Sequence, residues 1–347
     1  MITQPSKRSR WAMKIGIGII AVILAITAVT IASTVFAPLA LAFFVIALVW
    51  PVQRWLQARM PRLFALAITV LMTLAVGLAF ASLAAWGFGR VGQSFVADAS
   101  RYQAFYDRIV TWLDGHGVSI AGLWAEHFNV GWLVRTTQYV TGRVNTTLTF
   151  WLIALLYVAL GLLEVDDLRR KVETLQNREA ARILLDGGAA TGARFRKYIM
   201  VRTLMSLLTG VFVGAFAWIT GLRFAIEWGV IAFTLNYIPF IGPFIATLFP
   251  TLLAMTQFDS WQAVVGVFVC LNIIQFVIGS YVEPRLSGNM LSISPVVVLF
   301  STLLWTSLWG LFGTFIGVPI ALAILSFSSQ HPSSRWIANL FGGSKQR

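Results

Sequence analysis

Apolar residues run along this chain in long unbroken blocks, without the alternation of a half-buried strand or the single stripe of a soluble helix. No charge interrupts residues 15–50, 63–89, 144–163, 203–222, 228–258, 260–282 and 286–334. Each block reaches about the 20 residues that carry a helix across a bilayer. The first, fifth and last are too long for one span, so each is expected to hold a hairpin. The pattern predicts an all-α, polytopic membrane protein with about eight transmembrane segments, and with re-entrant or broken helical hairpins in its C-terminal half.

The block at 228–258 carries a helix-breaking cluster at its centre, Asn236-Tyr237-Ile238-Pro239-Phe240-Ile241-Gly242-Pro243. Proline has no N–H, so Pro239 and Pro243 are expected to free the carbonyls of Leu235 and Pro239, and Gly242 loosens the backbone beside them. Broken backbone at membrane depth is tolerated where protein buries it or where it lines a polar cavity. Segment lengths and parity suggest an inverted repeat. Residues 224–257 would enter from outside and turn at 236–243, and 261–282 would cross inward. Residues 293–328 would then enter from the cytoplasm and turn near 309–313. Two full spans joined by a Pro-Gly turn remain the alternative.

Two segments lie between the apolar blocks. In 90–143, Tyr102, Phe105, Tyr106, Ile109 and Leu113 recur at helical spacing, which predicts an extracytoplasmic amphipathic domain. In 164–202, Val165, Leu168, Val172 and Leu175 form a narrow stripe among charges, which predicts a cytoplasmic amphipathic helix. The expected organisation is an N-terminal membrane hairpin and third span over 1–89, the outer domain, and a fourth span over 144–163. The charged helix, a transport core over 203–330 with two helical hairpins, and a cytoplasmic tail over 331–347 follow.

The composition, 58% hydrophobic and 11% charged, excludes an ordinary soluble domain. A net charge of +13 does not require nucleic acid as a partner. With the N-terminus inside, 20 of the 26 basic residues fall in inner segments, which predicts two cytoplasmic termini. Val35-Phe36-Ala37 loosely resembles a signal cleavage site. The apolar run continues past it to Trp50, however, and Ser33, Thr34 and Pro38 mark a turn between two antiparallel spans. Cys270 stands alone, and His116, His127 and His331 lack metal-ligand spacing, so no metal or other cofactor is expected. No nucleophile–base set or phosphate loop suggests an enzyme.

Three stretches then resemble a known family. LNYIPFIGP at 235–243, EPRLSGNMLSISP at 283–295 and GLFGTFIGVPIA at 310–321 are similar to signatures of the autoinducer-2 exporter family, and the order of segments agrees over essentially the whole chain. The resemblance implies export of small molecules from the cytoplasm, with the furanone-type quorum-sensing signal autoinducer-2 as namesake cargo. It also implies homo-oligomers, pentamers among them, and a link to sodium/proton antiport.

Ion coupling needs an ionisable carboxylate in the membrane, and the acids nearest the membrane ends are Glu227, Asp259 and Glu283. Glu227 could equally pair with Arg223, four residues away, and Glu283 lies at the inner interface beside Arg285. A neutral polar solute needs hydrogen-bonding groups instead. Asn236, Tyr237, Asn272, Gln275, Ser301 and Thr302 could supply these with the freed backbone at Pro239, Gly242 and Pro243, although Asn272 and Gln275 could also bind helices together. Pro284, Gly288, Gly310, Gly313, Gly317 and Pro319 are candidate hinges or tips. The leading reading is an exporter of small, polar, uncharged molecules working by alternating access in the lipid bilayer. A sodium or proton antiporter and a non-transporting oligomeric scaffold stay open.

Overall fold

The computed structural model describes residues 7–98, 144–258, 260–287 and 293–342, together with 100–102, 104, 111 and 115. The expected outer amphipathic domain therefore lies largely outside the described residues, as do Gly288, His116 and His127.

The apolar blocks fold as helices, the form in which a single segment satisfies its own backbone groups in hydrocarbon. They are α1 (Lys7–Ile31), α2 (Ser33–Gln57), α3 (Arg62–Ala97), α4 (Val144–Glu173) and α5 (Arg178–Ile219). After these come α6 (Ala225–Leu235), α7 (Ile241–Gln257), α8 (Trp261–Val277), a π-turn (Ile278–Val282), α9 (Glu283–Ser287), α10 (Pro295–Ser328) and α11 (Arg335–Phe341). Among the described residues six helical stretches have the length and apolarity of a membrane span, those of α2, α3, α4, α5 and α10 and the stretch Trp261–Leu286, although α10 is divided by a reversal at Gly310.

The N-terminal block does not return as the expected antiparallel hairpin. Ala32 alone separates α1 from α2, and Val35 N–H and Phe36 N–H both donate to its carbonyl. Reversing a helix takes a loop of about 2–5 residues. The chain bends there instead, and α1 has little contact with α2 beyond the junction. The charged segment also differs from expectation. The chain breaks at 174–177, Asn177 caps the next helix by accepting from Ala180 N–H at 3.0 Å, and the basic stretch then runs without interruption into the apolar one as α5. Its 42 residues give a spine of about 63 Å.

Two helical hairpins pack along this spine. In the first, α6 and α7 are joined by the 236–240 turn. Gly229 of α6 meets Gly210 of α5 backbone to backbone, and the turn reaches α5 at Thr203 and Ser206. The second is α10, which folds back at Gly310. There φ is 61° and ψ −140°, a conformation that glycine adopts without strain. Its arms are stapled by Ser301 Oγ–H donating to Gly317 O at 2.6 Å and by Thr306 against Thr314 at 2.7 Å.

Phe327, at the base of the second hairpin, lies over Gly187 of α5, while Val318 and Leu322 share a cavity wall with Tyr198 and Arg202 further along. The two hairpins therefore point in opposite directions along α5. Each has its own core: Trp228, Leu253 and Leu271 gather around the first, and Phe44, Phe195 and Leu322 around the second.

Candidate functional site

The turn of the first hairpin is tightly made. The sequence suggested free carbonyls at Leu235 and Pro239, but the structure occupies both. Ile238 N–H donates to Leu235 O at 2.8 Å and Ile241 N–H to Pro239 O at 2.7 Å. Pro243 falls in the first turn of α7, where a missing N–H costs little. The bond across Phe240 closes a γ-turn of the rare positive-φ kind, with φ 63° and ψ −52°. Such a conformation costs a non-glycine residue about 1–3 kcal/mol. Phe240→Gly is accordingly expected to raise the unfolding temperature of the purified protein, with a gain on the order of 1 kcal/mol after glycine's extra chain entropy; a lower unfolding temperature would show that the phenyl group contributes more than the strain costs.

Behind this turn is a cavity of about 590 Å³. Asn236, Pro239, Phe240 and Pro243 form one wall, and Gln275, Gly279, Ser280, Glu283 and Pro284 a second. Pro295, Val298, Val318 and Leu322 of the second hairpin close it against Tyr198 and Arg202 of α5. The π-turn that opens the second wall has a local cause. Pro284 cannot donate to the carbonyl of Ser280, and Glu283 N–H bonds to Ile278 O, one residue further back than in an α-helix.

One ion pair stands in the cavity wall. Arg202 Nη1–H donates to Glu283, with both carboxylate oxygens at 3.3 Å. The two groups are 81 residues apart, so neither the pair nor a site role for Arg202 showed in the sequence. Only the placement of Arg202 at the edge of an apolar block hinted at it. Glu283 thus pairs with Arg202, and Glu227 does not pair with Arg223. Glu227, buried in the first turn of α6, binds Arg90 of α3 at 2.9 Å. Arg223 binds Asp98 at 3.2 Å, and its N–H donates to Gln257. These contacts fasten the base of the first hairpin to α3, outside the cavity.

The other candidate residues divide. Asn236 lines the cavity and is buried, with its Nδ2–H donating to Ser206 Oγ at 3.3 Å. Tyr237 faces away: its hydroxyl bonds Thr203 at 2.9 Å and its ring packs on Phe80, Phe233 and Phe315. Gln275 lines the cavity. Asn272 lies on the exposed apolar side of α8 and donates to Phe268 O at 2.8 Å.

Ser301 holds the second hairpin together, and Thr302 is buried within it. Gly242 and Gly313 are places of close approach, since a Cβ at either would overlap the carbonyl oxygen of Leu235 or Trp305. Gly317 lies against the backbone of Ser301, and Pro319 is buried in the same arm. The expected opposition of 236–243 by Gly310 and Gly313 is not what closes the cavity. The flank of the second hairpin does so, because its tip reaches past the first turn to Val29, whose carbonyl accepts from Trp309. Among the described residues no group of His, Cys, Asp and Glu could hold a metal.

The sequence model of the AI-2E family transporter matches residues 19–332. This chain belongs to the AI-2E transporter family. Its relatives include the AI-2 transport protein TqsA of Escherichia coli (strain K12), 27% identical over 341 residues that cover 94% of this chain and 95% of the relative. The putative transport protein YrrI of Bacillus subtilis (strain 168) is 28% identical over 316 residues, 86% of each chain. The putative transport protein YhhT of Escherichia coli (strain K12) is 30% identical over 210 residues, 60% of this chain and 56% of that protein. With its long apolar helices, membership makes this AI-2E protein a multi-pass membrane protein of a transport family.

Proposed function

We propose that this AI-2E protein exports small, polar, uncharged molecules across the bacterial inner membrane by alternating access of the cavity between its two hairpins, and that AI-2 is among its cargo. The observation that carries this reading is the cavity wall itself. Arg202 and Glu283 neutralise each other there, and the rest of the polar lining comes from the neutral side chains of Asn236, Gln275, Tyr198 and Ser280. Hydrogen-bonding groups without net charge suit a neutral solute. Both acids best placed for ion exchange, Glu227 and Glu283, are held in ion pairs, which favours neutral cargo over sodium or proton antiport.

The hairpin arms support a re-entrant arrangement. The 11 residues of α6 give about 17 Å, the 17 residues of α7 about 26 Å, and the two arms of α10 about 23 and 27 Å. All fall short of the ~30 Å hydrocarbon thickness. The placement of basic residues supports cytoplasmic termini, and assembly of several copies, pentamers among them, is what the resemblance implies.

Uptake of AI-2 into everted membrane vesicles tests the reading. Vesicles containing the protein are expected to accumulate AI-2 faster than vesicles without it, and Asn236→Ala to lower the rate about tenfold, the equivalent of one hydrogen bond to a neutral solute, ~1.4 kcal/mol. Uptake no faster than in vesicles without the protein, with a cellular phenotype that survives Asn236→Ala and is lost on deleting 90–143, would favour the scaffold reading.

A further inference from the structure

Of the buried polar side-chain atoms around the cavity, two have no hydrogen-bond partner, Arg202 Nε and Gln275 Nε2. Both are donors. Two neighbouring groups are engaged: Arg202 Nη1–H donates to Glu283 Oε2 at 3.3 Å, and Asn236 Nδ2–H to Ser206 Oγ at 3.3 Å. A buried donor without an acceptor is costly, so two beside one cavity mark positions where an oxygen acceptor would be favoured. The guanidinium is also only partly used. Glu283 occupies Nη1 and Tyr198 lies beside the guanidinium, while Nε–H is left without an acceptor.

We propose that Arg202 and Gln275 are the specificity-determining contacts of this site, donating to oxygen acceptors of the transported solute, while Glu283 positions Arg202 and cancels its charge. This deepens the export reading and rests on it. Recognition by unpaired donors explains selectivity for an oxygen-bearing solute over an apolar one of the same size, because only the former satisfies both groups. It also gives Arg202 a role that lysine cannot replace. Lysine keeps the ion pair with Glu283 but has no second N–H held in the same plane.

The test joins AI-2 uptake kinetics in everted vesicles with thermal unfolding of the purified full-length protein in detergent, for wild type, Gln275→Leu and Arg202→Lys. Gln275→Leu removes a buried unpaired donor, so its unfolding temperature is expected to stay level or rise. Its KM for AI-2 is expected to rise at least tenfold, with the maximal rate within twofold of wild type. Arg202→Lys is expected to fold and to raise KM similarly. A lowered unfolding temperature in Gln275→Leu with unchanged KM would make the amide a packing group and overturn the proposal. Unchanged KM in both variants, as expected if water alone meets these donors, would overturn the assignment of Arg202 and Gln275 and leave export standing. Wild-type vesicles that take up no AI-2 would overturn AI-2 export, and this proposal with it.

Discussion

Valine in place of Gly242 is expected to stop the protein reaching a folded, export-competent state. A Cβ at this position overlaps the carbonyl oxygen of Leu235 at the end of α6. Neither group is the far end of a flexible side chain, so the clash is relieved only by pulling α7 away from α6 and opening the turn. Overpacking usually costs about 1–3 kcal/mol, and a backbone collision belongs at or above the top of that range. The measurement is the yield of monodisperse protein in detergent together with its unfolding temperature. Gly266→Ala, at a glycine with nothing within 4 Å, is the control expected to match wild type. Gly313, whose Cβ would overlap Trp305 O, is the same device in the second hairpin and is expected to behave alike. A Gly242→Val protein with wild-type yield and unfolding temperature would show that the turn is not held as described.

The second large effect is expected at the crossing of α5 and α6, the most extensive helix pairing among the described residues. A Cβ on Gly229 would lie 2.8 Å from Gly210 O, and one on Gly210 would lie 2.7 Å from Gly229 O. Helices in lipid associate through packing and not through expulsion of water, so close approach at small residues supplies much of the attraction. Gly229→Leu wedges α6 from the spine and undocks the hairpin that carries Asn236, Pro239 and Phe240 into the cavity. Its expected cost is about 3 kcal/mol, read as a lowered unfolding temperature and as lost AI-2 uptake. Gly214→Ala, whose Cβ would come no closer than 3.3 Å to Ala225 O, is expected to be far milder. Equal losses in the two variants would contradict the crossing geometry.

These effects trace to features that differ in how plainly a sequence shows them. Unbroken apolar runs and the Pro-Gly cluster at 236–243 act locally, through hydrophobicity and a missing N–H, so the helices and the turn between α6 and α7 could be read from residue order. The bend at Ala32 could not. Ser33, Thr34 and Pro38 look like turn residues, yet the ladder resumes at once on the Ala32 carbonyl. The continuity of α5 past Arg202 was hidden for a similar reason: charge marks a solvated surface but does not break a helix. The carbonyls of Leu235 and Pro239 were expected free because only α-helical partners were counted, and tighter bonds from Ile238 and Ile241 occupy them.

Side-chain pairing across distance was the least visible. Neighbouring cations made Arg223 and Arg285 the natural partners of Glu227 and Glu283, whereas packing delivers Arg90 and Arg202. Asn272 and Gln275 share a helix face by spacing, but 60° of helix rotation separates an exposed amide from one lining the cavity. Tyr237, Ser301 and Thr302 are polar residues in apolar runs, as a solute path requires. Two of them bond instead within the protein, Tyr237 to Thr203 and Ser301 to Gly317, and Thr302 is buried inside the second hairpin.

The claim that a solute crosses through the cavity between the hairpins is tested most directly by an untargeted comparison of exported metabolites. The cells compared would hold wild-type protein, no protein, or Ser280→Trp, which fills the cavity from the π-turn, with the two proteins present in the membrane in equal amounts. The account predicts at least one small polar metabolite that wild-type cells export and that both other cell lines retain. Identical exports from wild-type cells and cells without the protein, or undiminished export through Ser280→Trp, would contradict it.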